Sequence, residues 1–418
     1  MVHFIAVLLV SALGADLNGI SHDPSEEISE KIGLEYQLLS DGSIPTPQHK
    51  RVDTFHQKTT IQKRPSYPPV KDLSKSTCSS PEDVSLGFVG DLLMHGPVQE
   101  KGYRLRDFKS LWPKWLPLFR SLDILYGNLE LPVAPGISKA MTFQKDPGPI
   151  FDNFVYSGYP LFNIHPIFLD HLAESGFKVL STANNHALDR GTIGVERTID
   201  HLINSRISFI GTRYRNAPWE PFTITRAKSV QIAWVACTSI LNIPDRDHVV
   251  AHCDRDRLQL LALIAELSKK YEAVIVTPHW GQENQDLPTA EQLHLAHQFI
   301  EAGALAVVGA HPHVLQPIER VITDKRQRLI AYSLGNFIAN NPRLKQKASM
   351  VLMICLSTKG SKVSIAEGRV IPAYIRNRTG NVMDIENMPI DEDVLNRDPW
   401  AREVYDHILT ILGKTMNF

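Results

Sequence analysis

The sequence predicts an α/β protein, because short apolar runs that end in turn residues alternate with segments whose apolar residues recur at the helical period. The first run, Val84 to Val89, closes at Gly90 and Asp91. Comparable runs follow at 124–126, 179–180, 207–210, 230–236, 273–276, 305–308 and 329–331. Runs of this length and composition are typical of strands in a buried sheet.

Segments with helical periodicity lie between these runs, at 167–174, 195–203, 256–268 and 290–302. A helix between two strands lets them run parallel, so most of the predicted sheet is parallel. Two later runs, 350–356 and 363–375, follow one another without a helix. They predict antiparallel strands that complete this sheet or add a second one.

The first 83 residues predict targeting and linker segments. Residues 1–15 contain an apolar run from Phe4 to Val10 followed by small residues, a pattern typical of a signal peptide, and an uncleaved anchor or a buried first strand is the alternative. Residues 16–83 predict a flexible segment that includes a basic, Pro-containing linker. We therefore expect an exported protein that is periplasmic, at the cell surface or membrane-associated.

Charge and cysteine content narrow the class of protein further. The chain has 44 Lys and Arg against 45 Asp and Glu, so it has no overall positive field, and we expect no nucleic-acid partner. Four cysteines without a C-x-x-C pair exclude a zinc knuckle. Cys237 and Cys355 lie in apolar runs and are interpreted as buried small hydrophobic residues, although an exported chain offers three ways to form two disulfides.

Metal-competent side chains follow five of the predicted strands. Because the carboxyl ends of parallel strands meet at one edge of a sheet, we expect these side chains to converge. They are Asp91, Glu130, Asn185, His279, His311 and His313. Carboxylate, amide and imidazole groups suit one or two divalent ions such as Mn, Fe or Zn, with Asp91 and Glu130 as the candidates to bridge two of them.

Six motifs around these residues give the chain a family resemblance. They are Gly90-Asp91, Asn128-Leu129-Glu130, Ala183-Asn184-Asn185-His186 with Asp189 and Gly191, His279-Trp280-Gly281 with Glu283, Gly309-Ala310-His311-Pro312-His313 and Tyr332-Ser333-Leu334-Gly335-Asn336-Phe337. Together they resemble the CapA/PgsA family of poly-gamma-glutamate capsule biosynthesis proteins, which share the calcineurin-like metallophosphoesterase fold. The resemblance covers 84–375 and implies a layered α-β-β-α sandwich, followed by an extension at 376–418 with a terminal helix.

The resemblance also implies roles for individual residues. It places the six strand-end side chains named above where metal ligands are expected, and His186 where a general acid sits, with Asp189 available to orient it. His95, Glu283 and Asn336 are candidates for contact with substrate or with the ligands. The chain departs from the wider superfamily at Leu93, where a His is usual, and His95 is the nearest imidazole.

Three functions remain open from the sequence. The first is work in the biosynthesis, export or anchoring of an anionic poly-gamma-glutamate-like polymer, with membrane-bound capsule synthesis partners. The second is a free-standing metal-dependent hydrolase of phosphoesters, for which the resemblance reports only ancestry. The third is a scaffold that binds the polymer without catalysis.

Overall fold

The computed structural model describes residues 78–324, 326–360, 362–377 and 380–413. The predicted signal peptide and nearly all of the predicted linker lie outside these residues. The described strands are β1 (Val84–Leu92), β2 (Ile124–Leu129), β3 (Phe177–Ser181), β4 (Ser208–Ile210), β5 (Phe222–Ala227), β6 (Val230–Thr238), β7 (Ala273–His279), β8 (Ala306–Val308), β9 (Ile318–Thr323), β10 (Arg326–Ala331), β11 (Asn336–Ile338), β12 (Ala348–Ser357), β13 (Ser364–Arg376) and β14 (Glu386–Pro389).

The α-helices in the same ranges are α1 (Gly96–Leu105), α2 (Leu116–Ser121), α3 (Ile167–Ser175), α4 (Gly191–Asn204), α5 (Arg257–Lys270), α6 (Ala290–Ala302), α7 (Leu344–Lys347), α8 (Glu392–Arg397) and α9 (Pro399–Leu412). Short 3-10 turns lie beside some of them. No helix within the described ranges is long and apolar enough to cross a membrane.

The strands form two sheets. The first has the order β14-β13-β12-β1-β2-β3-β4, with β11 also paired to β1, and the second has the order β5-β6-β7-β8-β10-β9. Pairing is parallel from β1 to β4 and from β6 to β8 and β10, and β12 pairs antiparallel with β13. The predicted parallel pairing and the antiparallel late strands are therefore confirmed, and there is a second sheet.

The two sheets pack face to face, and helices cover their outer faces. Trp234 of β6 stacks on Tyr126 of β2 with ring centroids 5.8 Å apart, and it also contacts Phe88 of β1 at 5.9 Å. On the outside, Phe168 of α3 belongs to the apolar cluster that covers the first sheet, and Phe299 of α6 to the cluster that covers the second. The layered α-β-β-α architecture is confirmed.

The last described residues add to the first sheet. β14 pairs antiparallel with the end of β13, from Ala373 to Arg376. The helix α9 buries Val404 and Ile408 in the same apolar cluster as the inner faces of the two sheets. The terminal segment therefore closes one side of the core.

Two disulfides correct the interpretation of the cysteines as isolated hydrophobic residues. Cys78 is bonded to Cys355, and Cys237 to Cys253, with Cα atoms 5.2 and 5.0 Å apart. Cys237 and Cys355 are buried as expected, but each faces an oxidised partner. The strand pattern could not show this, because the partners lie 16 and 277 residues away in the sequence and meet only in the fold.

Candidate metal centre

Strand ends of both sheets supply the candidate ligands. Asp91 lies at the end of β1, and Glu130 directly follows β2. Asn185 stands in the loop after β3, and His279 is the last residue of β7. The loop after β8 carries His311 and His313, and all of these side chains are at most 5% exposed.

Two acids stand at the middle of this group. Asp91 Oδ1 accepts a hydrogen bond of 2.8 Å from Asn128 Nδ2, and its Oδ2 lies 3.0 Å from His313 Nδ1. Glu130 Oε1 lies 3.6 Å from His313 Nε2 and 3.7 Å from His279 Nε2. Both oxygens of Glu130 are fully buried without a hydrogen-bond partner among the described residues. Burial of a carboxylate without a partner destabilises the folded protein unless a cation or a hydrogen-bond donor binds its oxygens.

His279 joins the two sheets through its ring. Its Nε2 lies 3.0 Å from Asn185 Oδ1 and 3.1 Å from His311 Nδ1. Its Nδ1 lies 3.2 Å from Asn128 Nδ2. One imidazole thus faces oxygen and nitrogen atoms from three other strand ends, as expected where several side chains surround one small ligand.

The loop that carries His311 and His313 holds both residues in an unusual backbone conformation. Their φ angles are 99° and 57°, in the left-handed region that residues with a Cβ rarely adopt. Pro312 separates them and fixes the backbone between the two rings. Strain of this kind persists where the surrounding structure enforces it, and it concentrates at functional sites.

A close approach of two glycines sets the position of Asp91. The backbone N–H of Asp91 donates to the carbonyl of Gly335 at 3.0 Å. A Cβ at Gly90 would lie 1.8 Å from that same oxygen. Only glycine therefore lets β1 approach the segment before β11, where Asp91 pairs in register with Asn336.

Electrostatics in the cluster favour added positive charge. Burial and the neighbouring Asp91 raise the pKa of Glu130 well above its ordinary value. Burial lowers the pKa of His311 to about 3, with the charge of His313 acting in the same direction. At His313 burial also opposes the charged form, but Glu130 and Asp91 outweigh it and raise its pKa to about 10. The two buried acids thus stabilise positive charge beside them.

The donor set fits a divalent metal. Two groups of three residues bring one ligand atom each within 4.8 Å of one another, namely Glu130 with His311 and His313, and Asp91 with Glu130 and His279. Glu130 belongs to both groups, which is the arrangement that a bridging carboxylate requires. Its unpartnered oxygens are the observation that favours a cation here.

A histidine and an acid form a pair next to this cluster. His186 Nδ1 lies 2.8 Å from Asp189 Oδ2, and both side chains are buried. The same oxygen of Asp189 accepts the backbone N–H of Phe162 at 2.7 Å. The ring of Phe162 packs edge-on against His186 with centroids 4.7 Å apart. The imidazole is therefore fixed in orientation and shielded on one face.

The three remaining candidates differ in position. His95 Nδ1 accepts the backbone N–H of Asn340 at 3.2 Å, and burial, followed by the charge of His313, lowers its pKa to about 4. Asn336 is fully buried, with Oδ1 3.0 Å from His313 Nδ1. Glu283 is exposed, although its charge acts on Glu130 and His313. Asn336 thus supports the cluster directly, whereas His95 and Glu283 lie beside it.

Two further asparagines contact the site, and the strand-end pattern gives them no separate role. Asn128 bridges Asp91 and His279, and Asn242 Nδ2 lies 3.4 Å from His186 Nδ1. For Asn128 a signal exists, because it precedes Glu130 by two residues and so points to the same side of the strand. Asn242 lies in a loop after β6, where the sequence has no comparable pattern.

Two packed sheets with a cluster of acids and histidines at their strand ends define an α/β sandwich with a candidate metal site. The family model described as "Bacterial capsule synthesis protein PGA_cap" matches residues 85–341, and the chain belongs to this family. The resemblance stated from the motifs is therefore confirmed.

Individual relatives agree with this assignment. The chain is 28% identical to the PGA biosynthesis protein CapA of Bacillus subtilis, over 78% of each chain. It is 26% identical to the capsule biosynthesis protein CapA of Bacillus anthracis, over 73% of this chain and 70% of that protein. Among solved structures it is similar to the calcineurin-like phosphoesterase YfkN from Bacillus subtilis, with 12% identity and a TM-score of 0.39, over 78% of this chain and 99% of that one.

Proposed function

We propose that the protein acts in the biosynthesis, export or anchoring of an anionic poly-gamma-glutamate-like capsule polymer, and that a divalent-metal site at the strand ends acts on an anionic group. Membership of the capsule synthesis family and the names of two relatives support the first part. The observation that carries the second part is Glu130, whose two buried oxygens have no partner among the described residues and face three histidines.

The metal would be held by the six residues that the strand-end pattern predicts. Asp91 and Glu130 supply carboxylate oxygens, Asn185 supplies an amide oxygen, and the three histidines His279, His311 and His313 supply ring nitrogens. Mn, Fe or Zn suits this set, as one ion or two. A divalent ion supplies Lewis-acid chemistry, which polarises a bound phosphoryl or carbonyl oxygen and neutralises its charge.

The chain's own residues would move the proton. With Asp189 ionised, Nδ1 of His186 donates to it, so Nε2 is the ring atom left to exchange a proton with a leaving group. The second hydrogen bond of Asp189, from the N–H of Phe162, keeps the carboxylate from turning away. The buried pair of His186 and Asp189 favours a hydrolase over a scaffold without catalysis, because a scaffold does not need an oriented imidazole beside the metal ligands.

Export and attachment to the cell envelope are part of the proposal. Two disulfides favour an oxidising compartment, where such bonds form and persist. The N-terminal apolar run supports export, and the capsule relatives support a role in the cell envelope with membrane-bound synthesis partners.

Metal content and thermal unfolding of the purified chain test the metal site. We expect one or two ions per chain, and a rise in stability of about 2.7 kcal/mol when the free ion is at about a hundred times its dissociation constant. The variant Glu130→Gln should lose both effects, while Glu301→Gln, an exposed carboxylate on α6, should keep them. A wild-type protein without metal, or an unchanged Glu130→Gln variant, would contradict the proposal.

Two further measurements separate the functions. His186→Ala should abolish hydrolysis of a phosphoester probe and retain the metal, and equal activity in both proteins would exclude the proton-transfer role. Deletion of the gene should reduce the anionic polymer at the cell surface. Unchanged polymer, together with metal-dependent hydrolysis in the purified protein, would favour the free-standing hydrolase.

A further inference from the structure

A basic groove lies at the opposite end of the second sheet from the candidate metal centre. It is a surface cavity of about 400 Å³ between the starts of β6, β7 and β10 and the described residues that lie between β12 and β13. The strand β7 runs for seven residues from Ala273 to His279. At the rise of an extended strand, the groove is about 20 Å from the metal centre.

Cations dominate the lining of this groove. Four of its side chains are basic, namely Lys269, Lys270, Arg326 and Lys362. The carboxylate in its described lining is Glu272, which accepts a hydrogen bond of 2.7 Å from the backbone N–H of Gln231. Within the described ranges, no ion pair joins these four cations to an acid. The groove therefore has an excess of positive charge in a chain whose net charge is −1.

Arg326 leaves a donor unused inside the groove. One of its terminal nitrogens donates to the carbonyl oxygen of Val363, whereas its Nε is buried with no hydrogen-bond partner in the described part of the chain. Asp324, which is close in sequence, is exposed and lies 3.7 Å from Arg328, and its charge acts on Arg326 through solvent. A partly buried guanidinium with an unused donor is stabilised by a nearby negative charge, so Arg326 favours an anion in the groove.

We propose that this groove binds carboxylate groups of a polyanionic chain, so that the protein holds its polymer at a place separate from the metal centre. The polymer's identity as a polyglutamate rests on the proposed function. The planar guanidinium of Arg326 matches the geometry of a carboxylate, and the three lysines supply point charges on flexible stems that can follow further carboxylates along such a chain. Positive charge on a groove also raises the local concentration of an anionic polymer and its rate of association.

The experiment measures the anisotropy of fluorescently labelled poly-gamma-glutamate mixed with the full-length protein at increasing salt. The variant Lys269→Gln/Lys362→Gln removes two exposed cations from the groove. The control Lys114→Gln/Lys178→Gln removes two exposed cations elsewhere and has the same net charge. We expect the groove variant to bind about tenfold more weakly at low salt, with a smaller salt dependence, and the control to match the wild type.

Several results would contradict the proposal that this groove binds the polymer. They are absence of binding in the wild type, equal weakening in both variants, and tighter binding of single-stranded DNA of equal charge than of polyglutamate. Glu130→Gln separates this proposal from the proposed function. If that variant loses its metal and still binds the polymer, the groove binds the polymer independently of the metal centre. If it loses both the metal and the polymer, the polymer binds at the metal centre.

Discussion

The two disulfides should stabilise the protein by different amounts, because they close loops of very different length in the unfolded chain. Cys237–Cys253 spans 16 residues and Cys78–Cys355 spans 277. Loop-closure entropy gives about 3 kcal/mol for the short loop and about 5.5 kcal/mol for the long one. We therefore expect the long bond to contribute about 2.5 kcal/mol more to the free energy of unfolding.

Two variants measure each bond separately. Cys78→Ala/Cys355→Ala retains the short bond, and Cys237→Ala/Cys253→Ala retains the long one. The free energy of unfolding in urea is measured for each variant in its oxidised form and again in its reduced form. The difference between the two values is the contribution of the one remaining disulfide, because no side chain is substituted between the two measurements. Equal contributions, or a larger one from the short bond, would refute the entropic reasoning and indicate that local packing decides the stability.

Three other perturbations follow from the fold. Gly90→Ala would drive a Cβ to 1.8 Å from the carbonyl of Gly335, so we expect a loss of about 3 kcal/mol or more in urea unfolding and weaker metal binding by calorimetry. Burial alone would raise the pKa of Asp123, but hydrogen bonds, including one from Lys228, hold it below its ordinary value. The Asp123→Asn variant should therefore have a lower free energy of unfolding than the wild type at neutral pH. The difference between the two proteins should shrink as pH falls below about 4, because the wild-type carboxylate is then protonated. A difference that does not change with pH would count against the ion pair of Asp123 with Lys228. Asp189→Ala leaves the buried N–H of Phe162 and the imidazole of His186 without their hydrogen-bond partner, so we expect the free energy of unfolding to fall by about 3 kcal/mol. Metal affinity should be unchanged. A large loss of metal affinity would show that Asp189 acts on the metal ligands.

Much of the first sheet and of the site could be predicted from local patterns. In the run from Val84 to Val89 every residue except Ser85 is apolar or glycine, because a strand covered on both faces needs no alternation. The strands β9 and β11 do not show such an apolar run. β9 is half exposed and rich in polar residues, and β11 is three residues long, so neither leaves a clear pattern.

The cysteine pairing and the contact of Asn242 could not be predicted for a different reason. Each depends on residues far apart in the chain that no strand-end pattern relates, such as Cys78 with Cys355, or Asn242 with His186 across 56 residues. Without such a pattern, the spacing of two residues in the sequence gives no information about their distance in the fold.

The sequence by itself determined which side chains lie at strand ends, and with them the chemistry of the candidate site, because strand periodicity and turn residues are local properties. The tertiary structure decided how the two sheets face one another. That packing brings His279 and His313 of the second sheet within 3.7 Å of Glu130 from the first. It also decided where surface cations gather, since the groove brings together Lys269 and Lys362, which are 93 residues apart in the sequence. Both depend on burial of the apolar faces between the sheets, which acts on the chain as a whole.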